Sequence, residues 1–229
     1  MEKKMQLKIS LAICMMILSF LSNSSAQPLD SPGSETLSPL EKGIIHEMNM
    51  ARENPGKYAT FLEQTKRYYS GKHLRRPGNI VLITQEGVSA VNEAIRFLRT
   101  AKPLPSLQPS RSMHLAARDH VQDQASTGVV GHRGGEGSSP ADRLNRYGTW
   151  RKIMGENISY GEDEARNIVM GFIVDDGVQD RGHRKNIFKP DFHLVGVACG
   201  PHPIYGLMCV VTFAAEFQEQ NGRGAAPPG

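Results

Sequence analysis

The side chains of His132, Glu156 and His183 each come directly after a glycine. A glycine beside a polar side chain permits a backbone turn that can present that side chain to a pocket. The adjacent acids Asp175 and Asp176 come shortly before the second histidine. Two imidazoles and two or three carboxylates are the usual ingredients of a divalent-metal pocket or of an acid–base site. These residues are therefore the candidate site.

Each candidate also has a structural interpretation. His132 and His183 can be loop histidines that only form hydrogen bonds, and Glu156 with Asn157 can cap a turn. Both interpretations can hold together, since a carboxylate can orient a metal-binding histidine without binding the metal itself. Outside the glycine motifs, His120 is predicted to pack inside a helix face. Three further histidines are predicted at the surface: His114, His193 and His202.

Helical spacing of apolar residues predicts four helices in the first half of the chain. The first begins after Ser38, which opens a capping box, and it ends before Pro55 because the residue before proline avoids helical geometry. The second begins at Pro55 and the third follows Thr84. The fourth is capped by Ser110 and ends at Gly128.

A basic loop is predicted at 70–78, between the second and third helices. Further along, an amphipathic helix is predicted at 162–174 and a turn or short helix at 182–188. The hydrophobic period changes after these helices. The runs 194–198 and 207–213 are rich in β-branched and small residues and predict two antiparallel strands. Long helices followed by a terminal hairpin indicate a layered α+β domain.

Residues 1–26 have the three parts of a secretory signal peptide, with cleavage predicted between Ala26 and Gln27. A retained anchor is the alternative, but the apolar run is short for a bilayer span. The polar segment 27–37 is predicted to be a flexible linker, 38–218 the folded domain and 219–229 a disordered tail. We expect a secreted protein, or a periplasmic one in a Gram-negative cell, without a transmembrane segment.

The charge balance argues against nucleic acid as a partner. The chain has 27 Lys and Arg against 23 Asp and Glu. Removing residues 1–26 takes away three Lys and one Glu, which leaves 24 against 22. No basic stripe interleaved with aromatic residues is present in the sequence, so we expect no nucleic-acid binding. Separately, we expect the protein to be a monomer.

The chain has three cysteines, and Cys14 leaves with the signal peptide. Cys199 and Cys209 lie symmetrically about Ile204 in the predicted hairpin, so they are expected to face each other across it. Export would permit a disulfide between them. The alternative is two small buried residues that are neighbours without a bond.

Four motifs in fixed order, followed by a strand, resemble a known family. They are Gly131–His132, Ser139–Arg143, Gly155–Ile158 and Gly182–Ile187, and the strand is Val195–Val197. This set resembles the CAP superfamily, or SCP domain, of cysteine-rich secretory proteins, antigen 5 and pathogenesis-related 1 proteins. The similarity is greatest to the compact secreted form common in bacteria, and it covers about 40–217. The resemblance implies a three-layer α-β-α sandwich with a large cleft.

In that family two histidines and two acids form a cleft tetrad that can hold a divalent cation. The motifs match His132, Glu156 and His183 to three of its members. The fourth is normally a glutamate three residues after a tryptophan; here Phe172 takes the tryptophan position and Asp175 the acid position, with Asp176 as the alternative. Two imidazoles favour zinc, with the carboxylates binding directly or through water. The disulfides of the animal and plant relatives are absent, so their toxin or antifungal roles are not carried over.

Two functions are compatible with this pattern. The first is a binding module that holds a lipid, sterol, peptide or cell-wall fragment beside the metal. The second is an extracellular, peptidase-like hydrolase in which a metal or a histidine activates water. Neither a Gly-x-Ser-x-Gly nor a His-Glu-x-x-His motif occurs. We therefore expect a binding module rather than an enzyme and assign no catalytic residue.

Overall fold

The computed structural model describes residues 36–78 and 81–220. These residues form an α+β domain, which confirms the predicted fold class. The helices are α1 Pro39–Glu53, α2 Pro55–Thr65, α3 Val88–Thr100, α4 Arg111–Thr127, α5 Pro140–Asn145, α6 Ala165–Val174 and α7 Gly182–Ile187. The strands are β1 Tyr69–Ser70, β2 His73–Leu74, β3 Leu82–Ile83, β4 Gln108–Pro109, β5 Gly148–Tyr160, β6 Leu194–His202 and β7 Gly206–Glu219.

Local capping explains why α1 begins, and α4 begins and ends, where the sequence predicts. The Ser38 backbone N–H donates to the Glu41 carboxylate at 2.7 Å, and the Glu41 N–H donates to the Ser38 hydroxyl at 3.3 Å. Ser110 accepts from the backbone of Met113 at the start of α4. Gly128 closes α4 with a positive φ of 68°, a conformation that glycine adopts without strain.

Four strands form the main sheet in the order β4-β6-β7-β5. β7 pairs antiparallel with both β6 and β5, while the short β4 is parallel to β6. The predicted hairpin is therefore present, with strands longer than predicted. The sequence did not predict β5, because this edge strand contains glycines and polar residues and a bulge between Arg151 and Met154. Its partner β7 begins far along the chain, so no local pattern marks it.

Helices pack against both faces of this sheet. On one face, Val195 and Val197 share a core with residues of α1, α2, α3 and α6. On the other, Ala198 packs with residues of α4. The contact with α4 is close: a Cβ atom on Gly196 would lie 2.2 Å from the backbone carbonyl carbon of Met113. Strand alternation therefore sends successive side chains of β6 into two different helix layers.

The predicted loop at 70–78 contains part of a second, small sheet. Its strands are β1, β2 and β3, which pair antiparallel in sequence order. Each strand has only two residues, too few for a period-2 pattern to be recognised. This small sheet covers part of the cavity described below.

The Cys199–Cys209 disulfide joins directly opposite residues of β6 and β7. It confirms the predicted pairing and excludes the alternative of two unbonded thiols. β7 extends to Glu219, one residue beyond the predicted end of the domain. The predicted signal peptide, its cleavage site, nearly all of the linker and most of the tail lie outside the described residues. Among the residues that are described, no helix is both long and apolar enough to cross a membrane.

Candidate functional site

His132 and Glu156 form the first of two histidine–carboxylate pairs. His132 lies in the loop after α4, and its Nδ1 is 2.9 Å from Oε1 of Glu156 on β5. The Glu156 side chain is 2% exposed, whereas that of His132 is 51% exposed. Arg143 donates to the other carboxylate oxygen at 2.8 Å and to the His132 carbonyl at 3.1 Å. The buried guanidinium thus compensates the buried charge of Glu156 and ties the histidine loop to α5.

The backbone of the residue before His132 is held by side chains on both sides. The N–H of Gly131 donates to the Tyr160 hydroxyl at 2.9 Å. Its carbonyl accepts from Gln124 at 2.7 Å and lies 2.8 Å from Nε2 of His120. Tyr160 in turn donates to Gln124 at 2.8 Å. This network fixes the loop at its base, so His132 projects from an anchored backbone.

The other histidines only partly match their predicted environments. His120 is fully buried as predicted, and burial, followed by the charge of Arg143, lowers its pKa. His193 is exposed as predicted. The predicted surface positions of His114 and His202 are wrong, because both side chains are buried. His114 faces the sheet, with its Nδ1 at 2.5 Å from the Val197 carbonyl.

His183 and Asp175 form the second pair. Asp175 ends α6 in the left-handed conformation, with φ 53°. Its carboxylate lies 2.6 Å from Nδ1 of His183 and accepts from the backbone N–H groups of His183 at 2.8 Å and Arg184 at 3.3 Å. The carboxylate therefore sets the position of the histidine ring and also caps the start of α7.

Asp176, the alternative fourth acid, has a different contact. Its carboxylate accepts from the backbone of Gln85 at 2.5 Å and of Glu86 at 2.8 Å, just before α3. It is therefore Asp175 that contacts His183, while Asp176 holds the loop after α6 against α3.

The helix that carries His183 is anchored by buried and half-buried charges. Arg184 donates to both carboxylate oxygens of Glu93 on α3, at 2.6 and 2.7 Å. The fully buried Arg52 of α1 donates to the carbonyl of Ile187 at 2.6 Å. It also donates to the Pro105 and Phe192 carbonyls at 2.8 and 3.1 Å, and burial lowers its pKa to about 10. No sequence pattern marks Arg52, since its partners are backbone carbonyls of other segments.

The edge strand β5 contacts both pairs. Successive side chains of a strand point to opposite faces, so Glu156 and Asn157 face different helix layers. Asn157 donates to the His183 carbonyl at 3.0 Å and accepts from Asn186 at 2.8 Å. Among the described residues, no group of three or more His, Cys, Asp or Glu side chains lies within reach of one ion. The four candidate residues thus form two separate histidine–carboxylate pairs, His132–Glu156 and His183–Asp175.

Both pairs leave the same imidazole nitrogen available. When Nδ1–H donates to a carboxylate, Nε2 carries the lone pair that accepts a proton or binds a metal. In the part of the chain that the structure describes, neither His132 nor His183 has a hydrogen-bond partner at Nε2. Metal-binding histidines are commonly oriented in this way, by a carboxylate on the other ring nitrogen. The donor types therefore fit a borderline ion such as zinc.

A cavity of about 340 Å³ lies beside the second pair. Its wall is mostly apolar and includes Asp175, His183 and Tyr160. His132 and Glu156 are not among the residues that line it. The apolar side chains of the wall are Leu62, Leu74, Leu82, Ile158, Ile168, Met170, Phe172, Val174 and Val178. A largely apolar cavity of this size with a few polar groups is typical of small-molecule sites.

The sequence profile of the CAP family, described as the cysteine-rich secretory protein family, matches residues 88–213, which is more than half of the chain. The chain belongs to the CAP family. The match includes all four candidate residues and confirms the resemblance inferred from the motifs.

One curated relative is the uncharacterised protein YkwD of Bacillus subtilis (strain 168), which is 30% identical over 99 residues. The match covers 43% of this CAP chain and 37% of that relative, so the chain spans little more than a third of its length.

Two solved structures have partial similarity. An extracellular protein containing a SCP domain from Bacillus anthracis str. Ames has 23% identity and a TM-score of 0.39, covering 48% of this chain and 34% of that one. An outer surface protein from Borrelia burgdorferi has 15% identity and a TM-score of 0.42, covering 51% and 80% respectively.

Proposed function

We propose that this CAP-family chain is an exported, monomeric binding module whose two histidines hold a divalent ion beside a ligand cavity. The observation that carries the proposal is the position of the His183–Asp175 pair in the wall of an apolar cavity. Such a cavity supplies burial for an apolar ligand body, while the few polar groups in the wall fix its orientation.

The ion would be held by Nε2 of His132 and Nε2 of His183. Glu156 and Asp175 engage Nδ1 in each case, so they act by orienting the rings rather than as ligands. With two protein nitrogens, the remaining coordination positions fall to water or to the ligand, and we expect modest affinity. A bound zinc ion would supply Lewis acidity toward a ligand oxygen.

Export is supported by the disulfide between Cys199 and Cys209. Disulfides persist in oxidising compartments and are rare where thiols are kept reduced. Together with the predicted signal peptide, it supports a mature protein outside the cytoplasm, in the medium or the periplasm.

Calorimetric titration of zinc into chelator-treated protein tests the metal site. The variants His132→Ala and His183→Ala should each lose most of the binding heat, because each removes one of two nitrogen ligands. The variant His193→Ala is the matched control, since it removes an exposed imidazole outside both pairs. If both site variants bind zinc as the parent does, the shared metal site is wrong.

Hydrolysis is the alternative function, and a different experiment separates it from binding. Cys199 and Cys209 are consumed in the disulfide, and among the described residues no Ser or Cys side chain hydrogen-bonds to His132 or His183. Any hydrolysis would therefore use water activated by an imidazole or by the metal. A panel of peptide and ester substrates, with and without chelator, provides the test. Hydrolysis by the parent that disappears in the His183→Ala variant would show that the chain is a hydrolase rather than a binding module.

A further inference from the structure

The wall of the cavity beside His183 includes residues along most of the length of α6. Its wall takes one face of this helix, from Ile168 through Phe172 to Asp175. α6 has 10 residues, and at about 1.5 Å per residue it spans about 15 Å. Asp175 and His183 lie at the C-terminal end of the helix, whereas Glu162 precedes its N-terminus and also lines the cavity. Polar groups thus line the cavity near both ends of α6, and apolar side chains of the helix such as Ile168 and Phe172 lie between them.

The polar group at the second end is an ion pair between Arg76 and Glu162. The predicted helix at 162–174 begins only at Ala165, so Glu162 belongs to the loop before α6. Arg76 follows β2 of the small sheet, and the two side chains are 12% and 15% exposed. They come from segments far apart in the chain and meet at the cavity wall.

This ion pair is incompletely satisfied. Oε1 of Glu162 accepts from Arg76, but Oε2 is buried and has no hydrogen-bond partner among the described residues. A buried carboxylate oxygen without a partner is costly, and burial raises the pKa of Glu162. Arg76 uses one nitrogen for the pair, and a guanidinium has five N–H donors in total. The pair therefore offers an unfilled acceptor next to unfilled donors.

We infer that Arg76 and Glu162 form a polar subsite that binds the neutral head group of an elongated amphiphile. The head group both donates and accepts a hydrogen bond, as an amide or a hydroxyl does. It donates to Oε2 of Glu162 and accepts from Arg76, while its chain lies along α6 toward His183. A carboxylate head would meet the charge of Glu162 and an ammonium head that of Arg76, and desolvating either without a free counter-ion is unfavourable. This inference rests on the ligand cavity of the proposed function.

Titration calorimetry with four probes that share one alkyl chain tests the inference. The probes are octanamide, octanol, octanoate and octylammonium. The full chain should bind octanamide and octanol about tenfold or more tightly than either charged probe, a factor that corresponds to one net hydrogen bond.

Two variants should reverse this preference in opposite directions. Glu162→Gln leaves Arg76 without its counter-ion, so octanoate should become the tightest probe. Arg76→Gln leaves the carboxylate unpaired, so octylammonium should become the tightest. Glu216→Gln is the control, because it breaks the exposed ion pair with Lys152 outside the cavity and should keep the order of the parent. Circular dichroism checks the fold, and either reversal in a folded variant supports the subsite.

The outcomes also separate this inference from the proposed function. Equal binding of all four probes, or an order unchanged in both variants, overturns the polar subsite but leaves the cavity and the metal site in place. If none of the probes binds the parent, the ligand cavity of the proposed function fails together with the subsite. Zinc binding is measured separately and is expected to be the same in both variants.

Discussion

Replacing Asp175 by asparagine tests how the second histidine is positioned. The change keeps the shape of the side chain, and asparagine tolerates the left-handed backbone found here. It removes the charge from an acceptor of three hydrogen bonds, from Nδ1 and the backbone of His183 and from the backbone of Arg184. Hydrogen bonds to charged groups contribute about 1 kcal/mol more than neutral ones, so the free energy of unfolding should fall by about 1–3 kcal/mol.

The same substitution should weaken zinc binding by about 10–100-fold, the usual effect of losing a partner that orients a metal ligand. Asp176→Asn is the matched control. That carboxylate also accepts two backbone hydrogen bonds, from Gln85 and Glu86, but does not contact His183. We expect a loss of stability of similar size, about 1–2 kcal/mol, and unchanged zinc affinity. Urea unfolding and calorimetric titration on the same samples provide both quantities.

Two results would refute the reasoning. If Asp175→Asn leaves zinc affinity unchanged, the carboxylate does not position the histidine for a metal. If Asp176→Asn weakens binding as much as Asp175→Asn does, the effect comes from the loop as a whole rather than from contact with His183.

Three further predictions concern stability and can be measured by urea unfolding. The double variant Cys199→Ala, Cys209→Ala should lose about 2–3 kcal/mol, since the bond closes a short loop, while thiol labelling of the unreduced parent should find neither cysteine free. Arg52→Met should lose about 3–5 kcal/mol because buried carbonyls lose a charged donor, whereas the exposed control Arg99→Met should lose little. Since burial lowers the pKa of His120, the unfolded chain binds its proton first, and stability should fall as pH drops below 6.5 toward the lower folded pKa. The slope should be at most about 1.4 kcal/mol per pH unit. A His120→Gln variant with the same pH dependence of stability as the parent would contradict the assignment to His120.

The start of α1 and the end of α4 could be predicted because the signals that set them are local. Ser38 and Glu41 are three residues apart, and the side chain of each accepts a hydrogen bond from the backbone N–H of the other. The start of α1 is therefore determined by four consecutive residues. Gly128 ends α4 for a similarly local reason. The edge strand β5 had no such signal, because it is stabilised by β7 and not by its own neighbours. Predicting β5 would have required knowing that β7 pairs with it.

The burial of His114 and His202 could not be predicted from local sequence either. Each is a polar residue whose own segment gives no reason for burial. Packing decides it: His114 is covered where α4 lies on β6, and His202 contacts the rings of Tyr160 and Tyr205 at the end of the hairpin. Arg52 is buried because carbonyls from three other segments converge on it.

The sequence by itself indicated the family and the α+β class, named Cys199 and Cys209 as hairpin neighbours, and named His132, Glu156 and His183 as candidate site residues. Each of these can be inferred from residue type and order along the chain, through the glycine-flanked motifs and the symmetry of the hairpin. Only the tertiary structure decided that the four candidate residues form two histidine–carboxylate pairs, and that Asp175 rather than Asp176 contacts His183. Adjacent residues of a strand or at a helix end point in different directions. Which of them meets a partner therefore depends on the packing of elements that the sequence does not place.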